Sequence, residues 1–360
     1  MTRAPGPPTA PGPPGAPRAA RTSLTVLGIE TSCDDTAVGV VRGRQVLSNV
    51  TSAQPVHWEY GGVVPELASR AHLELLLPAL DAALAQARAD WAAVDGIAVT
   101  RGPGLVGSLI VGVSTARALA LAHGKDWLGV NHLEGHVWSV WGTDPGWAAP
   151  CVCLVASGGH TELLHVLGFG RYRLLGSTRD DAAGEAFDKA AQLLDLPYPG
   201  GPEVDRLARQ GDPRAVNLPR ALLREPGFEM SFSGLKTALR LFLERNPGLS
   251  AQGRADLAAS FEAAVVDVLT AKTLAAAAHA GAPRIAVTGG VSLNTGLREA
   301  FARRAAAQGL QLAFPPPALC GDNGAMIALA GAERLAAGER SGDATSVEPS
   351  LDEMGFFEPV

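Results

Sequence analysis

Residues 24–41 read LTVLGIETSCDDTAVGVV, and residues 151–167 read CVCLVASGGHTELLHVL. Each stretch has an apolar run, a polar loop and a second apolar run, which is the pattern of two strands joined in a hairpin. Mixed helical and strand patterns follow each hairpin. We therefore expect an α/β chain with two lobes that repeat one hairpin-led pattern around a nucleotide-binding cleft. A single doubly wound sheet is the alternative architecture.

The rest of the chain divides around these hairpins. Residues 1–22 contain seven prolines, three glycines and no acidic residue, so we expect a disordered extension that takes no part in the fold. The following segments are expected after it: lobe I at 24–148, lobe II at 149–322, a closing helix at 323–337 and a loose tail at 338–360. Apolar periodicity predicts helices over 66–90, 108–123, 182–195 and 255–280.

The composition excludes several classes of protein. The chain has 360 residues, 47% of them hydrophobic, which excludes a wholly disordered protein. Its net charge of −6 argues against a general electrostatic footprint for nucleic acid. Four cysteines without a CxxC pair favour a reducing, cytoplasmic compartment. No apolar run reaches the ~20 residues of a membrane span, so no membrane is expected.

His132-Leu-Glu-Gly-His136 is the motif most suggestive of a metal. Histidines at i and i+4 lie about 40° apart on a helix and can chelate one ion. A zinc protease has its glutamate directly after the first histidine, whereas Glu134 is two residues on and about 200° around the helix. A metalloendopeptidase is therefore disfavoured. Two unrelated helix histidines remain the alternative.

Several loops suit an anion or a nucleotide, and each has a plain structural alternative. Gly158 and Gly159 can form an anion nest or simply a tight hairpin. Asp322 can ligate a metal beside the two histidines or cap the following helix. The remaining candidates are the glycine-rich stretch 102–108, the acidic face of Asp181, Glu185 and Asp188, the Gly/Pro turn at 198–205, the Ser/Gly turn at 232–238 and the loop 288–294 that ends in Asn294.

The order of these motifs resembles one family over residues 24–337. The stretches that carry the resemblance are GIETSCDDT, YGGVVPELASRAH, GPGLVGSL, NHLEGH, SGGHTEL, DDAAGEAFDKAAQLLDLPYPGGP, FSGLKTAL, TGGVSLN and CGDNGAMIA. They are similar to those of the bacterial branch of the universal transferases that make threonylcarbamoyladenosine in tRNA. The resemblance implies an actin/Hsp70-like two-lobed fold.

The resemblance also implies an activity and a site. The expected reaction moves a threonylcarbamoyl group from threonylcarbamoyl-AMP to N6 of adenosine 37 in tRNAs that read ANN codons, with release of AMP. Expected metal ligands are His132, His136 and Asp322, for one divalent ion, Fe²⁺ first and Zn²⁺ or Mg²⁺ otherwise. Asp34 is the expected catalytic carboxylate. The adenylate, which is threonylcarbamoyl-AMP, AMP or ATP, is expected at Val155, Ala156, Ser157, Gly158, Gly159, Asp188, Gly201, Asp205 and Asn294.

The family resemblance implies partners as well. These are tRNA, a paralogous subunit of the same fold, a small P-loop ATPase and the upstream synthase that makes threonylcarbamoyl-AMP. Two other functions remain open: an ATPase or kinase of the same fold, and a non-catalytic scaffold that binds nucleotide. The histidine pair disfavours the kinase, and the intact triad of His132, His136 and Asp322 disfavours the scaffold.

Overall fold

The computed structural model describes residues 23–351 except 143 and 145, so the extension 1–22 and residues 352–360 of the expected tail lie outside the described residues. The strands within this part of the chain are β1 Thr25–Glu30, β2 Asp35–Arg42, β3 Gln45–Ala53, β4 Gly96–Gly102, β5 Asp126–Asn131, β6 Cys151–Ala156, β7 Thr161–Gly168, β8 Arg171–Ser177, β9 Arg284–Thr288 and β10 Gln311–Ala313. The α-helices are α1 Pro65–Ala87, α2 Val106–His123, α3 His132–Trp141, α4 Ala183–Leu193, α5 Gly200–Ala208, α6 Ser233–Arg245, α7 Ala251–Ala280, α8 Thr295–Ala307 and α9 Gly324–Ala336.

The strands form two five-stranded sheets of the same topology. The strand order is β3-β2-β1-β4-β5 in the first sheet and β8-β7-β6-β9-β10 in the second. In each sheet the hairpin strands pair antiparallel, β1 with β2 and β6 with β7. The central strand then pairs parallel with the strand on its other side, β1 with β4 and β6 with β9. The duplication expected from the two hairpins is confirmed, and the single doubly wound sheet is excluded.

The central strands were predictable because both of their faces are covered. Every residue of β1 and β6 is buried, which explains their nearly continuous apolar sequences. The more peripheral β3, β5, β8 and β10 were not foreseen in detail. Of these, β3 has one buried residue, Ser48, and β10 has only three residues.

Helix α9 packs on the first sheet, so the chain returns to lobe I after completing lobe II. Glycines permit this close approach. A Cβ at Gly28 would lie 2.4 Å from the nitrogen of Ala328, and a Cβ at Gly39 would lie 2.4 Å from that of Ala325. The expected closing helix is therefore a layer of lobe I, on the face of its sheet opposite α1 and α2. Helix α3 packs against α9 in a core that both sheets share.

Two sequence-based expectations about irregular segments need correction. The predicted turn at 198–205 runs into helix α5 at Gly200, where close packing against α4 outweighs the Gly/Pro composition. The part of the tail up to Leu351 is not loose. Its Glu348 nitrogen donates to the carbonyl of Arg101, and the Gly104 nitrogen donates to the carbonyl of Pro349. Backbone pairing of this kind leaves no periodic signal in a sequence.

Helix α2 is long and apolar enough to cross a membrane when only its length and composition are considered, and it is the one such helix among the residues described. Core helices of globular proteins pass the same test. Here α2 packs on β4 and α1 and buries Leu109, Val113 and Ala116. Several other apolar side chains of α2 remain exposed, including Val106 and Ile110.

Candidate metal and nucleotide site

A cleft of about 760 Å³ lies between the tips of the two predicted hairpins. The first tip contributes residues 32–35 and the second contributes residues 157–160. The loop before α2, the start of α3, and helix α4 with the segment after it complete the wall. The other lining residues used below are His132, Asp188 and Asp322.

His132, His136 and Asp322 bring three ligand atoms within 4.8 Å of one another. The Asp322 Oδ1 atom lies 3.1 Å from Nε2 of His136 and 3.6 Å from Nε2 of His132. Both histidines are buried on α3. Burial opposes ionisation of Asp322, but His132 and then His136 outweigh it and hold the pKa of this carboxyl below its usual range.

Local structure explains why these three groups are available. Asn131 caps α3 by accepting from the nitrogens of Leu133 and Glu134, so α3 starts at His132. Asn323 caps α9 by accepting from the nitrogen of Met326. Because Asn323 is the cap, the carboxylate of Asp322 is left to face the histidines. Two imidazoles and one carboxylate, of which His132 and Asp322 line the cleft, are a donor set that suits Fe(II) or Zn(II).

Glu134 points away from this site, as its helical position predicts. Its carboxylate is buried and pairs with Arg334 of α9, with 2.7 Å between Oε2 and Nε. The Tyr172 hydroxyl donates to Oε1 over 2.8 Å. Burial raises the pKa of Glu134 in spite of these partners. The residue therefore ties α3 to α9 and β8 and cannot serve as the base of a zinc protease.

We expect Glu134→Gln to destabilise the fold without removing metal ligands. Loss of one charge from a buried pair leaves Arg334 undercompensated, and we expect the free energy of unfolding to fall by on the order of 3 kcal/mol. Urea denaturation measures this change. The matched control is Glu66→Gln, which removes an exposed ion pair with Arg70 and should change stability by less than about 1 kcal/mol. Equal effects of the two changes would contradict the tying role of Glu134.

The second hairpin tip presents bare backbone to the cleft. A Cβ placed on Gly158 or Gly159 would meet nothing within 4 Å, so the space in front of both is open. The tip is closed by the His160 nitrogen donating to Ser157 Oγ and the Ser157 nitrogen donating to the His160 carbonyl. Val155 and Ala156 lie in β6 and are fully buried, so they support the tip and do not line the cleft.

His160 itself also lines the cleft, although it was not among the expected site residues. Its ring centroid lies 5.7 Å from that of His132. Burial, and then His132, lower the pKa of His160 to about 3, so its imidazole is neutral near pH 7. A neutral ring at this place adds no positive charge to the metal-ligand group.

The other expected adenylate residues divide into two groups. Asp188 lines the cleft and accepts from the Gly200 nitrogen over 2.7 Å, and burial raises its pKa. Gly201, Asp205 and Asn294 do not line the cleft as the structure describes it. Gly201 has open space at its Cβ position.

Asp205 and Asn294 instead join three helices. Asp205 accepts from the nitrogen and hydroxyl of Thr295 and from Arg209. Asn294 accepts from the Leu297 nitrogen over 2.7 Å as the cap of α8 and donates to Glu262 of α7. Burial, and then Asp205, raise the pKa of Glu262 to about 7. The sequence did not single out Glu262, because a lone glutamate in a long helix carries no signal.

We expect Asn294→Ala to lower the free energy of unfolding by about 1 kcal/mol, the usual cost of losing a side-chain helix cap. Asn294→Ser keeps a capping oxygen and should recover most of that loss. Thermal or urea unfolding of the two variants makes the comparison. If alanine and serine proved equally stable, the cap would not be the main contribution of this side chain.

The acidic tip of the first hairpin lies across the cleft. Asp34 and Asp35 both line it, and burial, followed by repulsion from Asp322, raises the pKa of Asp35 to about 7. His72 of α1 supports the tip from below: Nε2 donates to the Cys33 carbonyl over 2.9 Å, and Nδ1 accepts from the Thr36 hydroxyl. Burial lowers the pKa of His72, which favours this neutral form.

Comparisons with known proteins identify the family of the chain. The sequence model of the family described as tRNA N6-adenosine threonylcarbamoyltransferase matches residues 45–329. Proteins of that name from Geobacter sp. (strain M21) and Trichlorobacter lovleyi are each 52% identical to the chain. The first alignment covers 92% of this chain and 98% of the relative, and the second covers 94% and 100%.

Solved structures confirm the fold at much lower identity. HypF from T. kodakarensis aligns with a TM-score of 0.57 at 16% identity, over 93% of this chain and 49% of that one. Component A of (R)-2-hydroxyglutaryl-CoA dehydratase from Acidaminococcus fermentans aligns with a TM-score of 0.53 at 14% identity, over 88% and 100%. The actin/Hsp70-like architecture is therefore established, and the chain belongs to the tRNA N6-adenosine threonylcarbamoyltransferase family.

Proposed function

We propose that this cleft transfers a threonylcarbamoyl group from threonylcarbamoyl-AMP to N6 of adenosine 37 in tRNAs that read ANN codons. The observation that carries the proposal is that the triad His132, His136 and Asp322 adjoins the bare hairpin tip: His132 and Asp322 line the same cleft as Gly158 and Gly159. Family membership supports the same reaction. AMP is the second product.

We propose that the triad holds one divalent metal, Fe²⁺ in the cell, with Zn²⁺ or Mg²⁺ able to replace it. The donor chemistry supports this, since two imidazole nitrogens and one carboxylate oxygen lie within 4.8 Å of one another. When bound, such an ion supplies Lewis-acid polarisation of a carbonyl oxygen or charge neutralisation at a phosphate.

The chain's own residues account for binding and positioning. Backbone N–H groups at Gly158 and Gly159 are suited to the adenylate phosphate, because bare consecutive amides form an anion nest. Asp188 and Ser157 line the same wall. The exocyclic amine of adenine is a weak nucleophile, since its lone pair is delocalised into the ring. Holding that amine close to an already activated carbonyl is therefore the main task of the protein.

The step is balanced without an added reactant. The N6–carbon bond forms as the bond from that carbon to the phosphate oxygen breaks, and AMP leaves with the electron pair. One proton must leave N6, and we propose the carboxylate of Asp34 on the facing hairpin as its acceptor. Asp34 lines the same cleft as the glycine tip and belongs to the other hairpin.

We propose that the reaction takes place in the cytoplasm with four partners: tRNA, a paralogous subunit of the same fold, a small P-loop ATPase and the synthase that supplies threonylcarbamoyl-AMP. An exposed apolar surface on α1 and α2 supports the proposal of a paralogous subunit. Leu73, Leu77 and Val106 are 67%, 56% and 54% exposed. The two helices are close there, because a Cβ on Gly107 would lie 2.4 Å from Ser69 Oγ. An apolar face of this kind is typical of a protein–protein contact.

Nucleoside analysis tests the proposed reaction. The purified chain, its partner proteins, threonylcarbamoyl-AMP and an ANN-reading tRNA are combined, and the digested tRNA is examined by mass spectrometry. We expect threonylcarbamoyladenosine at position 37 and AMP in equal amount. In a parallel reaction, the isolated chain is incubated with ATP alone. We expect no release of phosphate from the ATP. ATP hydrolysis without tRNA modification would favour an ATPase of the same fold.

We expect the isolated chain to be a slow catalyst compared with the complete set of partners. With a net charge of −6 it has little general attraction for tRNA, and its apolar α1–α2 face is uncovered. Turnover of the chain alone, measured beside the complete mixture, should be at least about tenfold lower. Equal turnover in both mixtures would contradict this dependence. In the complete mixture, Leu73→Glu is expected to lower the turnover to that of the isolated chain.

A further inference from the structure

Glu30 ends β1 with its carboxylate fully buried against His132. Its Oε2 lies 3.0 Å from Nδ1 of His132, while Asp322 faces the other nitrogen, Nε2. We propose that Glu30 is a positioning residue that keeps the proton of His132 on Nδ1, so that Nε2 stays free to bind the metal. This inference rests on the metal site in the proposed function.

The surroundings of Glu30 show why it must be an acceptor. Oε1 accepts from the backbone nitrogen of Ser32, and Oε2 accepts from the hydroxyl of Thr100 over 2.6 Å. With His132 this makes three donors around one carboxylate. An ionised carboxylate offers acceptors only, so it meets all three. A backbone N–H cannot reverse its role, which fixes an oxygen at the Oε1 position.

That constraint makes Glu30→Gln an informative change. Glutamine has nearly the same shape, but one oxygen becomes an NH₂ group. The Ser32 nitrogen needs the remaining oxygen, so the NH₂ group must turn toward Thr100 and His132. The Thr100 hydroxyl can rotate and accept. His132 can accept at Nδ1 only by moving its proton to Nε2, where that proton occupies the lone pair a metal requires.

Ser32 provides a second, weaker contact to the same ring. Its Oγ lies 3.2 Å from Nδ1 of His132. Ser32→Ala therefore measures how much of the orientation comes from the hydroxyl. Thr100→Val removes a donor from Glu30 but leaves the carboxylate beside His132. Glu134→Gln removes a different buried carboxylate from α3 and serves as the control for loss of buried charge.

The experiment measures Zn²⁺ affinity of the metal-free full-length chain by competition with a chelator. We expect Glu30→Gln to weaken binding at least 10–100-fold, the range found when a carboxylate behind a ligating histidine is lost. Ser32→Ala, Thr100→Val and Glu134→Gln should each change the affinity less than about threefold. Circular dichroism at the assay temperature shows whether each variant is folded.

A second measurement uses the unmodified chain. Nitrogen-15 NMR of the metal-free protein above neutral pH reports which ring nitrogen of His132 carries the proton. We expect Nδ1–H in the natural chain and Nε2–H in Glu30→Gln. Nε2–H in the natural chain, or unchanged Zn²⁺ affinity in folded Glu30→Gln, would overturn the inference. Absence of Zn²⁺ binding by the natural chain would instead count against the proposed metal site, and the NMR result would still decide the role of Glu30.

Discussion

Asp322→Asn should empty the metal site and reduce threonylcarbamoyl transfer by at least about 100-fold. The change keeps the shape of the side chain but removes the anionic ligand that lies within 3.1 Å and 3.6 Å of the two imidazoles. A metal that supplies several kcal/mol of charge stabilisation corresponds to a loss of two or more powers of ten in rate. Elemental analysis gives the metal content, and nucleoside mass spectrometry gives the rate.

The control for this variant is Glu333→Gln, which removes a carboxylate from α9 that pairs with Arg44 at the surface. It should keep both metal and activity. The fold should survive Asp322→Asn, since Asn323 and not Asp322 caps α9. Full metal content in the folded Asp322→Asn protein would show that the triad is not the ligand set.

Gly159→Val should lower AMP affinity by at least about 100-fold, which is about 2.7 kcal/mol. The two methyl groups of valine would fill the space in front of the hairpin tip, which is open in the structure. Because nothing lies within 4 Å of the new Cβ, the fold itself should tolerate the change. Calorimetric titration with AMP measures the affinity directly.

A matched valine at Gly168 separates steric blocking from damage to the strand. Gly168 ends β7, the strand that begins two residues after Gly159, and its Cβ position is equally open, but it does not line the cleft. Gly168→Val should bind AMP as the natural chain does. Unchanged AMP affinity in folded Gly159→Val would mean that the phosphate binds elsewhere.

The fold could be predicted from the parts of the sequence whose signals are local. Both hairpins have apolar strands around a polar tip, and both were expected. The position of α9 could not be expected, because it depends on glycines in β1 and β2 that are far from it in sequence. The segment that ends at Leu351 is held in place by backbone hydrogen bonds, which almost any residue can make, so its position could not be expected either.

In the candidate site, too, local sequence patterns were predictable and contacts between distant residues were not. The spacing of His132 and His136 carries its own geometry, and the structure brings Asp322 to both. The side chains of Asp205 and Asn294 bond to Thr295, Arg209 and Glu262, while their place at the adenylate stays a prediction. Contacts across helices of this kind have no sequence period. The pairing of Glu30 with His132 was missed for a related reason, since the two residues lie 102 positions apart in the chain.

The most direct test of the account is anomalous X-ray diffraction from crystals of the chain with Fe²⁺ or Zn²⁺ and AMP. We predict one metal peak at about 2.0–2.2 Å from Nε2 of both His132 and His136 and from a carboxylate oxygen of Asp322. We also predict the AMP phosphate against the backbone of Gly158 and Gly159 in the same cleft. A metal bound elsewhere, or a phosphate outside this cleft, would contradict a single site for metal and adenylate.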